Sequence, residues 1–162
     1  LVAAREAGLP PLELYDVVDE VRAQAKEYDL VLMEGAGGLL VPMGVRPSGQ
    51  PWTVADLALT VDATAIVVTR AGLGTLNHTA LTQEALRRRA VTSYVVFGAW
   101  PARPEKVHVT NLAQLAGDLV GAVPEGVGGG EPGVFRRSAP GWLGPRLYGV
   151  VDDWRHLVED AE

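Results

Sequence analysis

The sequence predicts an α/β domain, a doubly wound and mainly parallel sheet with helices on both faces. Three observations predict it. Short apolar runs rich in β-branched residues alternate with segments of helical spacing, the pattern of parallel strands joined by crossover helices. The strand runs are continuous rather than alternating in polarity, as strands buried on both faces are. Each run ends in a turn rich in Gly or Pro, which gathers the loops along one sheet edge, where open α/β sheets bind their ligands. At 162 residues the chain is long enough for one domain, residues 1–162, with a substantial core.

The elements follow in order. Residues 12–27 place Leu14, Val17, Val18, Val21 and Ala25 at helical spacing, with acids early and Arg22 and Lys26 late, as the macrodipole favours. Pro10 and Pro11 mark its start. Residues 30–33 read as a short buried strand, followed by a Gly/Pro-rich loop to Trp52. Thr53 caps a helix through Ala55, Leu57, Ala58 and Leu59. Residues 64–69 form a second buried strand, 76–89 a helix, 92–97 a third strand and 107–116 a helix that stops at Gly117. Residues 119–123 form a fourth strand. The Gly-rich run that follows predicts a flexible stretch over 127–141. A last helix is expected from about Asp153, with Trp142, Tyr148 and Trp154 as its packing anchors.

Composition narrows the function. The net charge of −6 argues against non-specific nucleic-acid binding, which needs a basic face. The chain has no cysteine, so disulfides, zinc-thiolate sites and thiol nucleophiles are excluded, and a reducing cytoplasm is the expected location. No apolar run approaches the length of a membrane span. The first residues, Leu1-Val-Ala-Ala-Arg-Glu-Ala-Gly8, read as the middle of a longer chain, so an N-terminal segment is expected ahead of them.

The richest stretch is Tyr28-Asp-Leu-Val-Leu-Met-Glu-Gly-Ala-Gly-Gly38. An apolar run ends on a carboxylate, Glu34, and then on glycines. A carboxylate there can hold a hydrated Mg²⁺ on a nucleotide phosphate. Gly35, Gly37 and Gly38 let phosphate oxygens approach the main chain. The same residues would also make an ordinary tight turn with a solvated acid. Gly72-Leu-Gly-Thr-Leu-Asn-His78 opens a helix after a buried strand, where free N–H groups suit an anion, or where Asn77 simply caps the helix. His78 has no second ligand at metal spacing. Gly98-Ala-Trp-Pro101 and Pro124-Glu-Gly126 leave strands where a base ring can rest against backbone, as ordinary turns also do. Arg87-Arg-Arg89 reads as a solvated helix end. No phosphate-binding loop of the form G-x-x-x-x-G-K-[ST] occurs in these residues.

In this order and separation, several motifs resemble the dethiobiotin synthetase family. They are Val31-Leu-Met-Glu-Gly-Ala-Gly-Gly-Leu-Leu-Val-Pro42, Thr53-Val-Ala-Asp-Leu57 and Val67-Val-Thr-Arg-Ala-Gly-Leu-Gly-Thr-Leu-Asn-His-Thr79, then Phe97-Gly-Ala-Trp-Pro101 and Val123-Pro-Glu-Gly126. The resemblance runs to about Gly126 and is loose beyond Gly133. It implies a P-loop-type α/β fold, a homodimer, and a Mg²⁺- and ATP-dependent ligase of biotin synthesis. Its substrates would be ATP, CO₂ and 7,8-diaminopelargonate. An amine takes up CO₂ as a carbamate, ATP phosphorylates it, and the second amine closes the cyclic urea.

Carried onto these residues, the resemblance makes Glu34 the Mg²⁺ ligand bordering the nucleotide, with Gly35, Ala36 and Gly37 lining phosphates and carbamate. Gly74, Thr75, Leu76 and Asn77 would receive the substrate carboxylate, from the neighbouring subunit. Gly98, Pro124, Glu125 and Gly126 would form the base pocket; many family members carry an adenine-reading Asn where Gly98 stands. The family's P-loop Lys and Thr, a second Lys, a Ser and an Asp have no counterpart in this chain, so no catalytic residue is assigned and the chain alone is expected to be inactive. The rivals are a non-catalytic remnant or regulatory binding module of the P-loop ATPase superfamily, and another ATPase or amidoligase of that superfamily.

Overall fold

The structure, a computed structural model, describes residues 2–158. It divides into two compact units: residues up to 64 with 85–92, and residues 65–84 with those from 93 onward.

The first unit opens with a short helix, α1 (Val2–Glu6), and then α2 (Leu14–Glu27). Two strands form an antiparallel hairpin, β1 (Pro42–Val45) with β2 (Pro51–Thr53), and α3 (Val54–Thr60) follows directly. The core is Leu14 and Val18 of α2 against Trp52 and Leu57. Trp52 is 1% exposed and its indole N–H donates to Leu12 O at 2.9 Å, so the largest buried ring also satisfies its polar atom. Gly44 must be Gly, because a Cβ there would run into Leu12 O and the Trp52 ring. The Thr53-Val-Ala-Asp-Leu57 motif is structural. Asp56 accepts from Thr53 N–H at 2.8 Å and from Thr53 Oγ1 at 2.7 Å, and pairs with Arg46 at 3.1 Å. This reciprocal cap closes the free donors at the start of α3.

Two expectations fail in this unit. Residues 30–33 form no strand, and Leu30, Leu32 and Met33 are exposed, Leu32 by 83%. A strand exists only where another backbone takes up its N–H and C=O groups, and among the described residues none pairs with this run. The Gly/Pro-rich loop before Trp52 instead contains the β1–β2 hairpin, whose strands of four and three residues are too short for alternation to declare them.

The second unit is the parallel sheet. Strands β3 (Ala65–Thr69), β4 (Ser93–Trp100) and β5 (Leu119–Pro124) lie in the order β3-β4-β5. Both pairings are parallel, Val67 opposite Val95 and Phe97 opposite Ala122. Helix α4 (Thr75–Arg87) follows β3, crossing the division between units after Glu84, and α5 (Lys106–Leu115) connects β4 to β5. Val95, Phe97, Trp100, Leu112, Leu115 and Leu119 make the core, with Trp154 and Leu157 packed on it. The outer edge of β5 is closed by the chain's own return, where Gly144 N–H donates to Val120 O at 2.8 Å.

Where the sequence predicts flexibility, residues 127–141 hold a 3-10 turn, Val127–Gly129, and helix α6 (Pro132–Ser138). Glu131 caps α6 by accepting from Gly133 N–H and Val134 N–H, both at 2.8 Å. Of the aromatic anchors, Trp154 packs on the core, and Trp142 meets Phe135 edge to face at 5.1 Å. Tyr148 is 89% exposed and anchors nothing; it sits at φ 60 after a short 3-10 turn. The last helix is a single 3-10 turn, Arg155–Val158, and its expected continuation lies outside the described residues.

Candidate functional site

In the first unit the candidate residues form one loop. Gly35 is forced by packing, since a Cβ would run into Val54 Cγ2 at the start of α3. Gly37 adopts φ 92, a left-handed conformation that other residues rarely take. The loop is held by Val41 N–H donating to Gly38 O at 3.0 Å, and by Ala55 N–H donating to Leu39 O at 3.4 Å. Ala36 and Gly37 are exposed, so their main chain is open to a ligand. Glu34 is exposed ahead of them. Among the described residues, no group of three or more His, Asp or Glu side chains could cage a metal. A metal at Glu34 would therefore rest on one carboxylate, with phosphate and water completing its shell, which is how Mg²⁺ is ordinarily held. The donor set fits that ion.

In the second unit the parallel strands deliver three exits to one sheet edge. The first runs from Arg70 into α4. Gly74 has φ 87 and nothing within 4 Å of a Cβ position, so its glycine is needed for the turn rather than for space. Thr75 and Thr79 are buried, and both hydroxyls meet Thr69 Oγ1, the Thr79 contact at 2.7 Å. This binds the first turns of α4 to the end of β3. The Thr75 hydroxyl is thus engaged within the protein. Leu76 packs on the core, while Asn77 and His78 are exposed. Behind the loop, buried Asn111 of α5 donates from Nδ2 to Ala71 O at 2.8 Å and to Gly72 O at 2.9 Å. Asn111 escaped the sequence reading, because nothing in its helix marks it apart from any amide.

The second and third exits, from β4 and β5, separate where the register shifts between Phe97 and Trp100. They stay joined at Glu125 N–H, which donates to Trp100 O at 2.8 Å. Between them opens a cleft of 230 Å³, whose walls include Trp100, Pro101, Pro124, Glu125, His156 and Leu157. Gly98 is exposed on β4, and a Cβ there would lie 2.6 Å from Val68 Cγ1. Gly126 takes φ 81 as the chain leaves Glu125. His156 and Leu157 were not foreseen. They come from the tail, held by Asp153, whose carboxylate takes Arg155 Nε at 2.8 Å and Arg155 N–H at 3.0 Å. The Arg155 side-chain hydrogen bond, with help from its backbone N–H, holds the Asp153 carboxyl below its ordinary range.

The structure thus gathers Gly74, Thr75, Leu76, Asn77, Gly98, Pro124, Glu125 and Gly126 along the C-terminal edge of one parallel sheet, the edge where such sheets bind ligands. Glu34, Gly35, Ala36 and Gly37 share one loop of the first unit. This arrangement is that of a P-loop-type α/β protein, and the chain belongs to the AAA domain family, whose model matches residues 11–126. Within that class it is similar to the ATP-dependent dethiobiotin synthetase BioD of Streptomyces avermitilis, 48% identical over 155 residues. It is likewise similar to those of Streptomyces coelicolor, 45% over 155 residues, and Rhodococcus jostii, 46% over 146 residues. These matches cover 93%, 93% and 87% of this chain but 63%, 63% and 62% of the respective relatives, so the chain spans about three fifths of their length. Coverage of 93% carries the similarity past Gly126, where the motif resemblance stops, and into the tail.

Proposed function

We propose that the whole protein is a Mg²⁺- and ATP-dependent cyclo-ligase that makes dethiobiotin from 7,8-diaminopelargonate and CO₂ in the cytoplasm, acting as a homodimer. The observation that carries this reading is the placement of the Gly74-Thr-Leu-Asn-His-Thr79 motif. It opens a helix at the C-terminal edge of a parallel sheet, with the Thr75 and Thr79 hydroxyls on Thr69 Oγ1, and a helix start in that position supports an anion site. The identity of up to 48% with dethiobiotin synthetases supports a working ligase over a non-catalytic module.

In this reading the N–H groups of Gly74, Thr75, Leu76 and Asn77 receive the substrate carboxylate, across the dimer from the subunit that holds the nucleotide. That fixes the diamine by its far end and leaves its amines for the phosphorylation step, so the rate gain is one of positioning. The open main chain of Gly35, Ala36 and Gly37 lines the phosphates and the carbamate. Glu34 would hold Mg²⁺, which when bound would supply positive charge beside the phosphates. The base rests in the cleft between the β4 and β5 exits, against Pro124 and Glu125, which line it, with Gly98 and Gly126 next to it in the chain but not on its walls. The carbamate oxygen attacks the γ-phosphorus and ADP leaves; the second amine then attacks the carbamoyl carbon and phosphate leaves.

The test is genetic. The complete gene product, expressed in a bacterium deleted for its own dethiobiotin synthetase, restores growth without biotin. Failure to restore growth despite soluble expression, while added dethiobiotin does restore it, contradicts the reading.

A further inference from the structure

The base cleft has a wall that comes from the tail. His156 lines it, on the 3-10 turn Arg155–Val158. Its Nδ1 lies 2.7 Å from the main-chain oxygen of Asp153. A carbonyl oxygen only accepts, so Nδ1 carries the hydrogen and donates. In the neutral imidazole the other nitrogen, Nε2, is then an acceptor. The turn is braced twice over: Asp153 binds Arg155 through both its side chain and its N–H, and Trp154 and Leu157 pack on the core. The ring is therefore placed by neighbours that do not depend on a guest. On the strand side the cleft is lined by Trp100, Pro101, Pro124 and Glu125, and Gly98 contributes no side chain to it.

We propose that His156 is a specificity-determining residue of the base cleft, its Nε2 accepting a hydrogen bond from the exocyclic amino group of the base. This rests on the nucleotide reading of the cleft given above. An amino group donates to that lone pair, whereas a carbonyl oxygen at the same place on the ring sets acceptor against acceptor. The cleft then favours amino-bearing bases over keto-bearing ones, and the selecting atom sits on the tail rather than on β4. A polar pair of this kind discriminates through the partner left unmatched, here once the bound base covers the exposed His156 ring.

ATP and ITP differ at the tested position, amino in one and keto in the other, so they are the probes. Binding of each to the complete protein is measured by calorimetry, and kcat/KM with each is measured alongside. The unmodified protein prefers ATP. His156→Phe, which keeps the ring and removes both nitrogens, reduces the ATP-to-ITP ratio by about tenfold, the scale of one hydrogen bond. His156→Gln, whose amide oxygen again accepts, retains more of the preference than His156→Phe, and the KM for the diamine is unchanged in both. An unaltered ATP-to-ITP ratio in His156→Phe, with ATP still bound, overturns the assignment of His156 alone. Failure of the unmodified protein to bind any nucleotide overturns the reading of the cleft and the assignment with it.

Discussion

Thr69 Oγ1 at the end of β3 lies 2.7 Å from Thr79 Oγ1, one turn into α4, and meets Thr75 Oγ1 as well. Three hydroxyls, those of buried Thr75 and Thr79 and of half-buried Thr69, thus lock a strand end to a helix start. Thr79→Val keeps the shape and removes the hydroxyl from a site 2% exposed. It should destabilise the protein by about 1 to 2 kcal/mol, read by chemical denaturation. A neutral effect would show that the hydroxyl cluster contributes nothing to the placement of α4.

Asn111 holds the same loop from the other side, through the carbonyls of Ala71 and Gly72. Asn111→Leu leaves the carbonyls of buried Ala71 and half-buried Gly72 without their donor. The expected outcome is a rise of about tenfold in the KM for the diamine, as one to two hydrogen bonds of loop order are lost, with the KM for ATP unchanged. Equal changes in both constants would mean general loosening rather than loss of a positioned loop.

Gly98 stands where the family resemblance leads one to expect Asn, and Val68 packs against it. A Cβ at 98 would sit 2.6 Å from Val68 Cγ1, and a β-branched side chain cannot swing clear cheaply. Gly98→Asn should therefore cost about 1 to 3 kcal/mol, the range for overpacking. Val68 is 68% exposed, so Val68→Ala in the same chain should recover most of the loss. Denaturation of the single and double variants decides it: additive effects would contradict the coupling.

The cap of α6 gives a pH signature. Two main-chain donors, Gly133 N–H and then Val134 N–H, hold the Glu131 carboxyl below its ordinary value of 4.5. The folded pKa lies under the unfolded one, so the cap's stabilisation is complete above the unfolded pKa and fades as pH falls through the folded one. Acid should loosen α6 in that window, followed by amide exchange at Gly133 and Val134, and Glu131→Gln should remove most of the pH dependence. Exchange at these two amides that is flat with pH, after correction for intrinsic rates, would contradict the cap.

The parallel sheet was legible because Val67, Val68, Val95 and Val96 belong to continuous β-branched runs, and such runs have few alternatives to a strand. Residues 30–33 look the same in composition, yet they are not a strand here. Pairing is a property of two segments, and no local pattern records whether the second is present. Glu34 and the glycines after it were legible as chemistry. Asn111 and His156 were not, since each acts through main-chain oxygens far away in sequence or contributed by a turn. The Thr53 cap was legible as well, and Asp56 completes it.

The central claim is tested most directly by isotope. The complete protein is incubated with Mg²⁺-ATP, 7,8-diaminopelargonate and ¹³C-bicarbonate, and the product is examined by mass spectrometry. The account predicts dethiobiotin carrying one ¹³C in its ureido carbon, formed with one ADP per ring closed. ATP hydrolysis without any labelled dethiobiotin, from folded protein, would contradict it.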